Sequence, residues 1–186
     1  MTLTIVLLIS AFIAAADQII KYFILQDLAP VHRVSVIDGL FSLVYVENRG
    51  VAFGMLQNHV WIFAVITAIL IGVIIFLIAA RKFTGRLFYA AAALMIGGGL
   101  GNLIDRVFRG FVVDYLSVSF FPPVCNLADY CITIGAFLFI IVLLLPEKKK
   151  GKYESACSEK PVGRKKDETE APKEAEVTAE DSRDGE

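Results

Sequence analysis

Long apolar runs separated by short polar interruptions fill the first 146 residues, and the pattern then stops. There are 21 consecutive uncharged residues from Val60 to Ala80, 18 from Leu87 to Ile104 and 17 from Tyr130 to Pro146. Leu3 to Leu25 is apolar apart from Asp17, Gln18 and Lys21. Roughly 20 apolar residues span the hydrocarbon core of a bilayer. The period-2 alternation of a barrel strand is absent, so the runs predict four transmembrane helices, at about 3–25, 60–80, 87–105 and 129–146. Ala14-Ala15-Ala16 after the first run also fits a signal-peptide cleavage site. The opening Met1-Thr2-Leu3-Thr4, however, carries no basic residue, and apolar character resumes past the would-be cut. Those flanks favour a retained helix.

Between the first two helices, Val31 to Ile37 and Leu40 to Val46 are rich in β-branched and apolar residues and are separated by Asp38-Gly39. That pair predicts a hairpin with a type I′ turn at about 31–47. The expected fold class is therefore an all-α membrane protein of four transmembrane helices with a small extracytoplasmic β-sheet resting on the outer membrane surface. Arg81, Lys82, Arg86, Lys148, Lys149, Lys150 and Lys152 fall on one side of the helices, against Arg33, Arg49, Arg106 and Arg109 on the other. The positive-inside rule then puts both termini in the cytoplasm and the long connections, about 26–59 and 105–129, outside.

Composition sharpens this division. The whole chain is 56% hydrophobic and 20% charged. Residues 1–146 hold eight basic and seven acidic residues, whereas the last 40 hold ten and twelve. The first part is too apolar for a water-soluble globular enzyme, and 147–186 is too charged to bury a core. The expectation is a transmembrane domain over 1–146 and a disordered cytoplasmic tail over 147–186. Lys148-Lys149-Lys150 would anchor the last helix at anionic headgroups.

Polar residues inside membrane helices are costly and are functional candidates by default. At a rise of ~1.5 Å per residue, Asp17 lies ~22 Å beyond Thr2 and Asn102 ~24 Å beyond Arg86. Asp105 and Arg106 follow one turn later, and Asn126 and Asp129 sit at the mouth of the last helix. These elements thus bring their polar residues to one level, near the outer interface. Asp17 and Lys21, four apart, share a helix face and suit an ion pair. Asp105-Arg106 suits a clamp at a helix end. Asn102 suits a hydrogen bond to a neighbouring helix, and Gly97, Gly98, Gly99 and Gly101 suit close helix packing.

The inventory excludes several chemistries. His32 and His59 neither adjoin a carboxylate nor stand at metal-ligand spacing, and Cys125, Cys131 and Cys157 form no C-x-x-C pattern. Histidine-dependent nucleophilic catalysis and a zinc site are not expected, and no phosphate-binding fingerprint is present. Carboxylates remain. Asp114 lies in the apolar segment Phe111-Val112-Val113-Asp114-Tyr115, and Asp129 follows fifteen residues later. If the loop folds back, the two share a proton and divide acid and base work on a peptide bond. Spacing alone leaves two rivals open: a small transporter binding a cation at the outer carboxylates, and a non-catalytic membrane scaffold.

At these residues the chain resembles the bacterial lipoprotein signal peptidases, the type II signal peptidases. The resemblance rests on Asp17-Gln18-x-x-Lys21, Asn48-Arg49-Gly50-Val51-Ala52-Phe53-Gly54, Gly98-Gly99-Leu100-Gly101-Asn102-Leu103-Ile104-Asp105-Arg106, Val113-Asp114-Tyr115 and Asn126-Leu127-Ala128-Asp129, in that order along residues 1–146. It implies an aspartic endopeptidase of the bacterial cytoplasmic membrane. Such an enzyme removes signal peptides from diacylglyceryl-modified prolipoproteins, cutting on the N-terminal side of the lipidated cysteine. It also implies that Asp114 and Asp129 are catalytic, and that Asp17, Lys21, Asn48, Gly50, Asn102, Asp105, Arg106 and Asn126 bind substrate or brace the site. Prolipoproteins and membrane lipids are the expected partners; nucleic acid, metal and cofactor are not. Cys125 stands where the family often has an aromatic residue, and the tail is longer than many members need.

Overall fold

The computed structural model describes residues 2–50 and 60–145. The tail 147–186, with Lys148-Lys149-Lys150 and Cys157, lies outside the described residues, as do Val51-Ala52-Phe53-Gly54 and His59. Among the described residues, four helices are long and apolar enough to cross a membrane. They are α1 (Thr2–Phe23), α2 (Val60–Ala79), α3 (Arg86–Phe108) and α4 (Leu127–Leu144). α3 is central and packs against the other three.

Three helix ends differ from the sequence expectation, each for a local reason. A π-helical turn, Ile24–Leu28, prolongs the first span, and its Ile24 and Leu28 are buried. α3 continues past Asp105-Arg106 to Phe108, because Asp105 is buried among partners and does not mark an exit to water. Gly110, at φ 75°, supplies the left-handed residue that stops the helix. α4 begins at Leu127, two residues early. The Asn126 side chain accepts from Asp129 N–H at 2.9 Å, while the Asp129 carboxylate accepts from Asn126 N–H at 3.1 Å. This reciprocal cap sets the helix start.

The sheet has four antiparallel strands in chain order: β1 (Arg33–Ile37), β2 (Phe41–Asn48), β3 (Val112–Val118) and β4 (Phe121–Cys125). The first hairpin agrees with expectation, but its turn does not. Leu40 N–H donates to Ile37 O at 3.0 Å, and of the two central residues only Gly39 has positive φ, at 74°. A type I′ turn needs positive φ at both; one such residue is the type II pattern. The second hairpin escaped the sequence pattern. Val112, Val113, Asp114 and Tyr115 are all buried, so β3 shows no in–out alternation. Pro122 and Pro123 sit on β4, an edge strand, where a missing N–H is tolerated.

Two apolar clusters hold this arrangement. Val6, Ile71, Ile78, Phe88, Ala92, Ala93 and Ile96 lock α1, α2 and α3 together. Ile24, Leu28, Val113 and Tyr115 join the π-helical turn to the sheet. The polar residues of α1 and α3 lie between the two. Close approach there depends on glycine: a Cβ on Gly98 would lie 2.5 Å from Ala128 O of α4, and one on Gly101 would lie 2.5 Å from Asp17 Oδ2. Gly98→Ala is expected to destabilise the protein by about 1–3 kcal/mol through overpacking against backbone. Gly72→Ala, whose Cβ meets nothing within 4 Å, should stay within about 0.5 kcal/mol of the parent. Thermal unfolding of both variants in detergent micelles checks the pair, and equal midpoints would refute the packing role.

Candidate active site

A fully buried lysine organises the polar layer. Lys21 and Asp17 on α1 and Asp105 on α3 are each 0% exposed. Lys21 Nζ donates to Asp17 Oδ2 at 2.8 Å, Asp105 Oδ2 at 2.9 Å and Asn102 Oδ1 at 3.0 Å. Its three protons thus meet three acceptors. The expected Asp17–Lys21 pair is present, but it is part of a larger knot. Asp105 also accepts from Val113 N–H at 3.1 Å, from Gln18 Nε2 at 3.1 Å and from Arg109 Nη1. Gln18 completes the ring by donating to Gly101 O at 3.0 Å and accepting from Arg109 Nη1 at 2.8 Å. Among the described residues, no buried side-chain nitrogen or oxygen lacks a partner.

The clamp expected from Asp105-Arg106 takes a different form. Asp105 bonds Arg109, four residues on, because adjacent helical residues do not face one another. Arg106 turns to the other side, where Nη1 donates to Asn102 O at 3.3 Å and its charge acts on Asp129 and Asp114.

Above the knot, asparagines lead to two carboxylates. Asn102 Nδ2 donates to Asp129 Oδ1 at 2.8 Å. Asn126 Nδ2 donates to Asp114 Oδ1 at 2.6 Å and to Asn102 Oδ1 at 3.2 Å. Asn48 Nδ2 donates to Asp114 Oδ2 at 2.9 Å, and Asn48 Oδ1 accepts from Gly50 N–H at 3.2 Å. The β2–β3 register, which pairs Val46 with Asp114 and Asn48 with Val112, makes that contact possible. Asn126 therefore bonds both acids, Asp114 through its amide and Asp129 through its backbone. Asp114 is 2% exposed, whereas Asp129 is half-buried. Burial, and secondly the charge of Asp129, push the Asp114 carboxyl up to about 7.

The start of α4 is held from three directions. Leu127 N–H donates to Tyr115 Oη at 3.3 Å, Ala128 N–H to Asp17 Oδ1 at 3.1 Å, and Asp129 N–H to Asn126 Oδ1 at 2.9 Å. Groups that a helix leaves unpaired at its N-terminus are thus satisfied by strand β3, helix α1 and the cap itself. Burial pushes the Tyr115 hydroxyl up to about 12, so it stays neutral. Burial also raises the Cys125 thiol, with Asp129 and Asp114 adding to the effect. Cys125 is no thiolate nucleophile.

All ten residues singled out in the sequence join this network. Asp17, Lys21 and Asp105 form its base; Asn102, Asn126, Asn48 and Gly50 connect it; Asp114 and Asp129 stand at its end, with Arg106 alongside. Three contributors were not singled out: Gln18, Arg109 and Tyr115. The i,i+4 spacing that drew attention to Asp17 and Lys21 holds equally for Asp105 and Arg109. Tyr115 stands in the motif Val113-Asp114-Tyr115, which assigns it no role of its own.

Residues 9–145 match the family model for signal peptidase (SPase) II. The chain is 42% identical over 132 residues to the lipoprotein signal peptidase of Caldanaerobacter subterraneus subsp. tengcongensis, spanning 71% of this chain and 90% of that relative. It is 38% identical over 138 residues to the lipoprotein signal peptidase of Shouchella clausii, spanning 74% and 91%. Two solved structures of a bacterial membrane enzyme, obtained by the in meso method at 2.3 Å and 1.9 Å resolution, superpose with TM-scores of 0.69 and 0.68. They share 31% and 32% identity, cover 81% and 76% of this chain, and are themselves covered over 94% and 93%. With the four apolar helices, the sheet and the family motifs all within the matched region, the chain belongs to the signal peptidase II family of bacterial membrane peptidases.

Proposed function

We propose that Asp114 and Asp129 are the catalytic pair of this peptidase, that it lies in the bacterial cytoplasmic membrane with both termini in the cytoplasm, and that its site is near the outer leaflet. As a member of its family, the chain removes signal peptides from prolipoproteins. Its substrates carry a diacylglyceryl group, and the bond cut is on the N-terminal side of the lipidated cysteine. The observation that carries the catalytic assignment is Asn126, which bonds both carboxylates and so sets two acids at one site. A substrate anchored by a signal helix and by acyl chains presents its scissile bond at a fixed depth. The polar layer, bounded by apolar clusters, gives that bond one level at which to meet the acids.

The two environments divide the labour. Asp129, half-buried and held by N–H donors of Asn102 and of the Asn126 backbone, is the acid placed to take a proton from water. Asp114, raised to about 7 by burial and by Asp129, keeps a proton far above the ordinary carboxylate range and is the acid of the pair. In the reaction Asp129 takes a proton from water as the water oxygen bonds the carbonyl carbon. Asp114 gives its proton to the amide nitrogen, the C–N bond breaks, and the cysteine leaves with a free amine. Asp129 returns its proton to Asp114 and resets the pair. The charge of Arg106, which already acts on both acids, balances negative charge developing on the carbonyl oxygen.

Asp114→Asn and Asp129→Asn are each expected to lower turnover of a diacylated precursor by at least about 10²-fold while the protein still inserts and folds. Cleavage read by mass shift decides this, and wild-type-like turnover by either variant would sink the assignment. A second outcome concerns pH and stability. The folded-state value of Asp114, about 7, lies above its ordinary 3.8, so its contribution is complete below about 3.8 and is lost as pH rises through about 7. The unfolding midpoint of the parent should therefore fall between about pH 4 and 7, and that of Asp114→Asn should fall less. Parallel pH slopes would contradict the raised carboxyl.

A further inference from the structure

We infer that Lys21 is a positioning residue for the reaction: by donating to Asn102 Oδ1 it fixes the Asn102 amide so that Nδ2 aims its N–H at Asp129. The inference rests on the reading of Asp129 as a catalytic acid–base group. Neutralising Asp17 and Asp105 accounts for only two of the three Lys21 hydrogen bonds; the third, at 3.0 Å, goes to an uncharged amide. An ammonium has donors and no acceptor. The Asn102 oxygen must therefore face Lys21, and the remaining Asn102 donor must face away from it.

The neighbours reinforce this single orientation. Asn102 Oδ1 also accepts from Asn126 Nδ2 at 3.2 Å, while Asn102 Nδ2 lies 2.8 Å from Asp129 Oδ1. A flipped Asn102 would set its NH₂ against two donors and its oxygen against a carboxylate. Asn126 cannot compensate by flipping, because its own oxygen caps α4 on Asp129 N–H. Donor direction thus runs from Lys21 through Asn102 to Asp129. The ionisable groups facing this path are Asp17 and Lys21 on α1, Asp105 and Arg106 on α3, Asp114 and Tyr115 on β3, Cys125 on β4, and Asp129 and Cys131 on α4. Arg109 balances Asp105 from the far side, so Lys21 is not the sole counter-charge to the two buried acids.

The test uses the purified full chain in detergent and a diacylated precursor, with kcat and KM measured across pH. Asp17→Asn/Lys21→Met removes one negative and one positive charge together, leaving Asp105 with Arg109. Its kcat is expected to fall roughly tenfold to a hundredfold, with KM within about twofold of the parent. Adding Asn102→Leu to that variant should cost much less than the same change costs in the parent, since both act on one contact. Parental kcat in the double variant, a loss confined to KM, or losses that multiply would overturn the inference. If the double variant fails to fold, Asn102→Ser decides: its hydroxyl keeps an uncharged acceptor for Lys21 but has no amide N–H to aim at Asp129. A comparable kcat loss supports the inference, and parental kcat overturns it. Asp129→Asn, assayed alongside, separates the readings: its full activity would remove the catalytic pair itself, whereas its inactivity beside a parental double variant removes only the role of Lys21.

Discussion

The ammonium of Lys21, shut away from water between α1 and α3, is the constraint on which the rest of the structure depends. Removing an ion from water costs several kcal/mol even after relaxation, and the cost is recovered only with close partners and full hydrogen bonding. Lys21 meets that demand with two carboxylates and an amide oxygen, all within 3.0 Å. Those partners come from two helices, so satisfying one lysine fixes the depth and rotation of α1 against α3. Gly101 follows from the same requirement, since any side chain there would occupy the place of the Asp17 carboxylate. The glycine-rich face of α3 is thus shaped by polar as well as apolar packing.

From this base the constraint passes to α4. Asp17 spends one oxygen on Lys21 and the other on Ala128 N–H, so the residue that balances the buried lysine also grips the start of α4. Tyr115 and Asn126 take the adjoining N–H groups. A helix start held this way cannot rotate or fray without breaking bonds to β3, to α1 and to its own cap. Asp129 belongs to that first turn, so its carboxylate inherits the placement. Asp114 is placed independently by the sheet, and Asn126 and Asn48 hold it from both sides. Each acid stands on regular structure, although the sequence pattern around Asp114 reads as loop.

What could be read in advance follows from the physics of lipid. Helices in a bilayer need long uncharged runs, so their existence and approximate bounds were plain, and the few polar residues stood out by depth. The Asp17–Lys21 pair was legible because i,i+4 spacing puts both on one face. The partner of Asp105 was not foreseen: proximity along the chain pointed to Arg106, whereas helix geometry selects Arg109. Strand β3 was hidden because burial on both faces removes the alternation by which strands are recognised. The hairpin turn was misassigned since Asp38-Gly39 suits more than one turn type, and only φ decides. Asp114 and Asp129, fifteen residues apart, carried no convincing signal of their own. The family resemblance singled them out, and the structure supplies the reason they meet, in the two bonds of Asn126.

The three asparagines have a chemical logic that lysine or aspartate could not supply in their place. A lysine bonded directly to Asp129 would oppose the proton uptake proposed for it. A further carboxylate there would drive the protonation of both acids. Asparagine carries a donor and an acceptor on one planar group, so it accepts from the ammonium on one side and gives an uncharged N–H on the other. Asn102 thereby delivers the orientation imposed by a buried charge without delivering the charge itself. Asn48, fixed by Gly50 N–H, does the same for Asp114 from the sheet. Two acids held at one site by neutral donors can pass a proton between them, as the hydrolysis proposed for this pair requires.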